Sequence, residues 1–209
     1  MYHETPPGHP ESSDRLRAVL HALEDEAFHH LAREEAPPAA RAEIERVHPA
    51  FYVDAVMNTV PEQGYGSLDP DTHVSPGSGE AALRAAGALV AAVDAVMAGK
   101  VRNAFCAVRP PGHHAEAARA MGFCLFNNVA IGALHARAHH GLKRIAVVDF
   151  DVHHGNGTQV MFEDDGELFF ASSHQMPLYP GTGRPEEQGR AHNIVNMALD
   201  PGSSPLEFR

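Results

Sequence analysis

Residues 144–157, "RIAVVDFDVHHGNG", decide how this chain is read. An apolar run rich in β-branched residues ends abruptly in two aspartates, two adjacent histidines and two glycines. Such a run predicts a strand covered on both faces, as in parallel sheets. Along an extended segment alternate side chains share a face, so Asp149, Asp151 and His153 point one way and Phe150, Val152 and His154 the other. Asp151 and His153 then make a carboxylate-plus-imidazole half-site for a divalent cation, because zinc accepts both donor types. Asp149 is either a third donor or a group that orients a neighbour. The plain alternative is a strand end whose polar residues face solvent or cap the next turn. Gly155 and Gly157, which permit tight backbone geometry directly after the pair, favour the cation.

Working outward, helical spacing of apolar residues predicts a helix from Asp14 to about Ala32 and a second stretch from Ala42 to Met57, interrupted at Pro49. Residues 61–79, dense in Gly, Pro, Ser and Asp, read as a long loop. A helix follows from Glu80 to about Ala98, then a short strand "AFCAV" (104–108) and the polar loop "RPPGHHAEAARAMGF". Another helix runs from Asn128 to His140, closed by Gly141. "ELFFASSH" (167–174) and "AHNIVNMAL" (191–199) read as two further strands. Strands alternating with helices predict a three-layer α/β domain around a parallel sheet, one domain over residues 1–209. In such sheets ligands bind outside the carboxyl ends of the strands. His113 and His114, Asp149 to His154, and Ser172 to His174 all fall at such ends.

The chain has 209 residues, 44% of them hydrophobic, which suffices for a buried core. Its formal charge of -11 argues against nucleic-acid binding, which depends on basic contacts to phosphate. Two cysteines, Cys106 and Cys124, form no disulfide framework, and the opening residues hold no signal-peptide core. A cytoplasmic protein that neither enters a membrane nor is secreted is the expectation. In "RPPGHHAE" (109–116), two prolines and a glycine hold His113 and His114 stiffly, and imidazole is the side chain best suited to proton transfer near neutral pH. The other tandem pairs, His29-His30 and His139-His140, lie on predicted helices and read as surface histidines. Phe123 follows Gly122 just before a helix, where it is a core residue or a pocket wall, and Tyr179 is an exposed-looking aromatic of a Pro/Gly-rich loop. Cys124 reads as packing, because apolar surroundings raise a thiol pKa.

Taken together, "GHPE", "SPGSGEAALRAAG", "RPPGHHAE", "GFCLFNNVAIGA", "VVDFDVHHGNGTQ" and "HQMPLYPGTG" resemble the histone deacetylase superfamily, in its class II-like and bacterial branch, from about Gly8 to the end. The resemblance implies an arginase/deacetylase-like fold and hydrolysis of an N-acetylated amine. It implies one catalytic Zn2+, or another divalent metal, held by Asp151 and His153, with His113 and His114 as the catalytic imidazoles. Asp149 would hydrogen-bond His113, and Asn156 would face His114 where class I members carry an aspartate, removing a charge that raises the imidazole pKa. A structural K+ would lie among the carbonyls of Asp149, Asp151 and His153, with Ser172 and Ser173. Gly122, Phe123 and Tyr179 would line the acyl tunnel. The substrate would be acetyl-lysine in proteins or a small acetylated amine such as an acetylpolyamine; a catalytically inactive acyl-ligand or protein-binding module is the alternative of another class. In the family a third metal ligand and a transition-state Tyr or His lie C-terminal to the matched segments. The resemblance therefore implies a domain truncated at its C-terminus, with little turnover by these residues alone.

Overall fold

Asn127 sets the frame of the site by capping a helix with its side chain, which accepts the Ala130 amide at 3.1 Å. That helix, α5 (Asn128–His140), stops at Gly141 and leads into strand β3 (Ile145–Asp149). The computed structural model describes residues 2–208, and the elements preceding these are helices and one hairpin. They are α1 (Ser13–Ala22), α2 (Arg41–Ile44), α3 (Ala50–Thr59), β1 (Gly66–Asp69), β2 (Thr72–Val74) and the long helix α4 (Ser78–Met97). After β3 come α6 (Asn156–Phe162), β4 (Leu168–Gln175), β5 (Ile194–Leu199) and α7 (Pro205–Phe208).

Strands β3, β4 and β5 pair in parallel in that order, with Asp149 opposite Ser172 and Phe170 opposite Ile194. This is the α/β architecture with a parallel sheet that the sequence predicts. One face of the sheet packs Leu168, Phe170 and Ile194 against Ala130, Ala133 and Phe162 of α5 and α6. On the other face Val148, Phe150, Phe169, Val195 and Met197 are exposed. The run is apolar on both faces, but the described residues cover only one. A second core joins α2, α3 and α4 through Ile44, Tyr52, Val56, Ala82, Ala86 and Phe126. No helix among the described residues is long and apolar enough to cross a membrane.

Several boundaries differ from the sequence pattern. The first helix ends at Ala22 rather than Ala32, because Asp25 caps a separate 3-10 turn at Glu26–Phe28, accepting the Ala27 amide at 2.9 Å. Pro49 does more than interrupt: it is the N-cap of α3. The loop at 61–79 contains the antiparallel hairpin β1–β2, and α4 begins inside it at Ser78. "AFCAV" forms no strand among the described residues, since it has no ladder partner, and Phe105 stands exposed.

The loop carrying the tandem histidines is anchored from a distance. Arg109 grips Glu11 with two charge-assisted hydrogen bonds, 2.6 Å from Nε and 2.5 Å from Nη2, and donates a third to the His3 carbonyl at 2.9 Å. Both side chains are buried. The guanidinium outweighs the effect of burial and holds the Glu11 carboxyl below its usual range.

Candidate active site

Strand β3 delivers Asp149 and then ends, so Asp151 and His153 lie in a bend beyond the strand. Period-two alternation therefore does not bring them together. Two successive side-chain turns do: Asp149 Oδ1 accepts the Asp151 amide at 3.1 Å, and Asp151 Oδ1 accepts the His153 amide at 2.8 Å. As a result Asp151 Oδ1 lies 3.0 Å from His153 Nδ1. Backbone and imidazole contacts from His153, with the charge of His113, outweigh burial and hold the Asp151 carboxyl below its usual range.

His113 and His114 lie side by side, ring centroids 4.0 Å apart, in opposite surroundings. His113 Nδ1 donates to Asp149 Oδ2 at 2.8 Å. Burial would lower the pKa of this imidazole, but the Asp149 hydrogen bond and the charges of Asp149 and Asp151 reverse the balance and raise it. His114 faces an amide instead. Asn156 donates through Nδ2 to Glu116 at 3.0 Å, so its Oδ1 is the acceptor for His114 Nδ1–H at 2.9 Å. Burial and the neighbouring His113 lower the His114 pKa to about 4, leaving a neutral ring whose Nε2 is the basic nitrogen.

Two loops form the walls. Gly122 has a φ of +55°, and a Cβ there would collide with the His114 ring, so the close approach of loop to imidazole requires glycine. Phe123 follows in the left-handed region at φ 68°, an uncommon conformation for a bulky residue. Its amide donates to Thr72 Oγ1 at 3.1 Å, and its ring meets His9 edge-on at 4.8 Å. Thr72→Val, which deletes that buried acceptor, is expected to cost about 1–2 kcal/mol, measured by urea denaturation. Tyr179 meets the edge of His114 at 5.1 Å, and burial together with Asp71 and Asp69 pushes its phenol up to about 12. Gly155 admits the Asp149–His113 pair, because a Cβ there would strike the Asp149 carboxylate.

The remaining sequence candidates lie at the adjoining strand end. Ser172 is buried beside Asp149 in register, with its hydroxyl 2.9 Å from His174 Nδ1, and Ser173 follows on β4. His154 is also buried, joined by Nε2 to Gln159 at 2.9 Å and by Nδ1 to the Thr182 hydroxyl at 2.8 Å. Gln159 in turn donates to Glu187 at 2.9 Å, which ties the Tyr179 loop to α6. The sequence pattern placed His154 on the opposite face but gave no sign of Gln159, Glu187, Glu116 or Thr72, whose roles depend on contacts distant in sequence. Among the described residues, the one cluster of three metal-donor side chains is elsewhere: Asp94, His139 and His140.

Fold and site thus define an α/β protein with an imidazole–carboxylate cluster at the carboxyl ends of a parallel sheet. The histone deacetylase domain pattern matches residues 9–209, and the chain belongs to that family. It is 41% identical over 198 residues to the histone deacetylase-like amidohydrolase of Pseudomonas aeruginosa, covering 92% of this chain and 51% of that protein. It is 40% identical over 209 residues to a protein of Archaeoglobus fulgidus named "probable deacetylase", covering 97% and 57%. An uncharacterized protein of Synechocystis sp. is 39% identical over 213 residues, covering 100% and 69%. The crystal structure of the HDA15 HD domain superposes with a TM-score of 0.88 at 38% identity, covering 94% of this chain and 58% of that one. The chain spans between about half and about two thirds of the length of these relatives.

Proposed function

We propose that this chain carries the histidine pair and part of the metal-binding set of a zinc-dependent deacetylase, acting on the acetyl amide of acetyl-lysine. The observation that carries the reading is the pairing of two adjacent imidazoles in opposite electrostatic settings with an aspartate and a histidine whose donor atoms lie 3.0 Å apart. That spacing suits two ligands of one ion, since zinc bonds of about 2.0–2.1 Å in a tetrahedron put donors roughly 3.3 Å apart. The donor chemistry, one carboxylate and one imidazole, fits zinc as well.

When bound, zinc supplies Lewis-acid polarisation of the acetyl carbonyl and makes water a stronger acid. His114, neutral and with its Nδ1–H directed at Asn156, accepts a proton at Nε2 from the attacking water. His113, whose protonated form Asp149 favours, gives a proton to the leaving amine, so acetate and free amine result. Phe123 and Tyr179 flank the acyl chain, and Gly122 lets it approach His114. The carbonyls of Asp149, Asp151 and His153, with Ser172 and Ser173, form a set suited to a structural potassium ion. Two free cysteines fit a cytoplasmic setting.

Asp69 and Asp71 beside Tyr179 favour a second substrate, a small cationic acetylated amine such as an acetylpolyamine. Titrating zinc into untagged protein tests the metal assignment. Asp151→Ala is expected to weaken binding at this site by at least about tenfold, and an unchanged isotherm for this site overturns it. Tighter binding of an acetyl-lysine peptide than of an acetylpolyamine by the zinc-loaded protein supports the first substrate; the reverse order replaces it with the second.

A further inference from the structure

We propose a second divalent-metal site, held by Asp94, His139 and His140 where the C-terminal ends of α4 and α5 meet. One donor atom from each of these residues lies within 4.8 Å of the others. Asp94 Oδ1 is already 2.7 Å from His140 Nε2. Asp94 is partly exposed near the end of α4, while His139 and His140 close α5, so the donors come from two rigid helices packed against each other.

His135 supplies the independent support. This side chain is buried, with a relative exposure of 3%, and sits one turn before His139, its ring stacked on that ring at 5.1 Å and 14°. Arg46 donates to His135 Nδ1 at 3.2 Å, which fixes the neutral tautomer with its proton on Nε2. That Nε2–H donates to Asp94 Oδ1 at 2.7 Å. An imidazole held by a guanidinium on one side and orienting a carboxylate on the other is the kind of support that metal ligands receive from the residues behind them. His135 is thus a positioning residue, and against the effect of burial its contact and that of His140 hold the Asp94 carboxyl below its usual range.

Two imidazoles and a carboxylate suit zinc, nickel or copper rather than calcium or magnesium, which prefer all-oxygen shells. Three protein donors leave the other positions to water, and a bound ion would clip α4 to α5. The site is separate from the proposed active site. Asn127 and Asn128, at the other end of the 13-residue helix α5, hold the histidine loop through Ala115 and Pro110, roughly 20 Å away along the helix axis.

The test is isothermal titration of untagged protein with zinc chloride, in which the two sites are read independently. The double variant Asp151→Ala/His153→Ala is expected to retain one zinc equivalent, accompanied by a rise in thermal midpoint. His139→Ala/His140→Ala is expected to lose that equivalent and keep the other. Asp94→Asn and His135→Gln are each expected to weaken the α4–α5 site by about 10-fold or more with helicity unchanged by circular dichroism. Absence of zinc binding by folded Asp151→Ala/His153→Ala protein, or binding in that background that His139→Ala/His140→Ala leaves intact, overturns the proposal without touching the active-site reading.

Discussion

Between pH 6.5 and 4 the metal-free chain is expected to lose on the order of 5 kcal/mol of stability, enough to unfold a protein of ordinary marginal stability. Two imidazoles remote from the proposed active site, His48 and His3, supply that amount, and His114 and His154, also lowered to about 4 by burial, add to it. His48 is fully buried, with Nδ1–H donating to the Ala117 carbonyl at 2.9 Å and Nε2 accepting the Asn127 amide at 2.9 Å. A proton added at Nε2 would face that amide hydrogen. His3 is buried beside Arg109 and bonds the Ser78 hydroxyl at 2.7 Å. Burial lowers both to about 4, helped at His3 by the charge of Arg109.

The sign follows from which state takes up protons. Near pH 6.5 the unfolded chain begins to bind protons at these positions and the folded chain does not, so their contribution is constant above that pH and falls until about pH 4. Glu11 and Asp54, whose carboxyls are held low by arginines, add their loss only below the ordinary carboxylate range. Urea denaturation at a series of pH values checks this. His48→Gln is expected to remove about half of the part of the slope that His3 and His48 supply, and a stability unchanged from pH 7 to 4.5 contradicts the assignment.

The second large effect concerns turnover. Zinc hydrolases of this type hold the ion with three protein donors and leave a position for water. On the proposed reading Asp151 and His153 supply two, and among the described residues no third donor joins them, since the one cluster of three lies at Asp94. The 209-residue chain supplied with zinc is therefore expected to hydrolyse acetyl-lysine peptides with kcat/KM below about 10 M−1 s−1, at least about 10^3-fold under the usual range for enzymes. Steady-state assays at saturating zinc measure it. A value above about 10^4 M−1 s−1 that disappears in Asp151→Ala would show that the described residues suffice.

Much of the frame was legible in the residues. The strand before Asp149 announced itself as an apolar run, and Gly141 and Pro49 marked helix breaks because caps and breakers act through local geometry. "AFCAV" misled for the converse reason: a strand exists only with a ladder partner, and a short apolar segment does not encode one. The convergence of Asp151 and His153 was foreseen on the wrong grounds, since it comes from side-chain turns beyond the strand. His139 and His140 are surface histidines on a helix as read, but their meeting with Asp94, 45 residues earlier in the numbering, is a fact of helix packing that spacing cannot reveal.

Asp149 divides its two oxygens between unlike tasks, one shaping the backbone toward Asp151 and one orienting the proton on His113. Loop geometry and imidazole chemistry are thereby joined in a single carboxylate. Glutamate could reach the histidine, but its longer arm would abandon the turn. Asparagine could keep the turn, but would present an N–H where the imidazole already offers one. Neither exchange separates shape from charge here, so either mutant at 149 will report on both at once and cannot be used to apportion them.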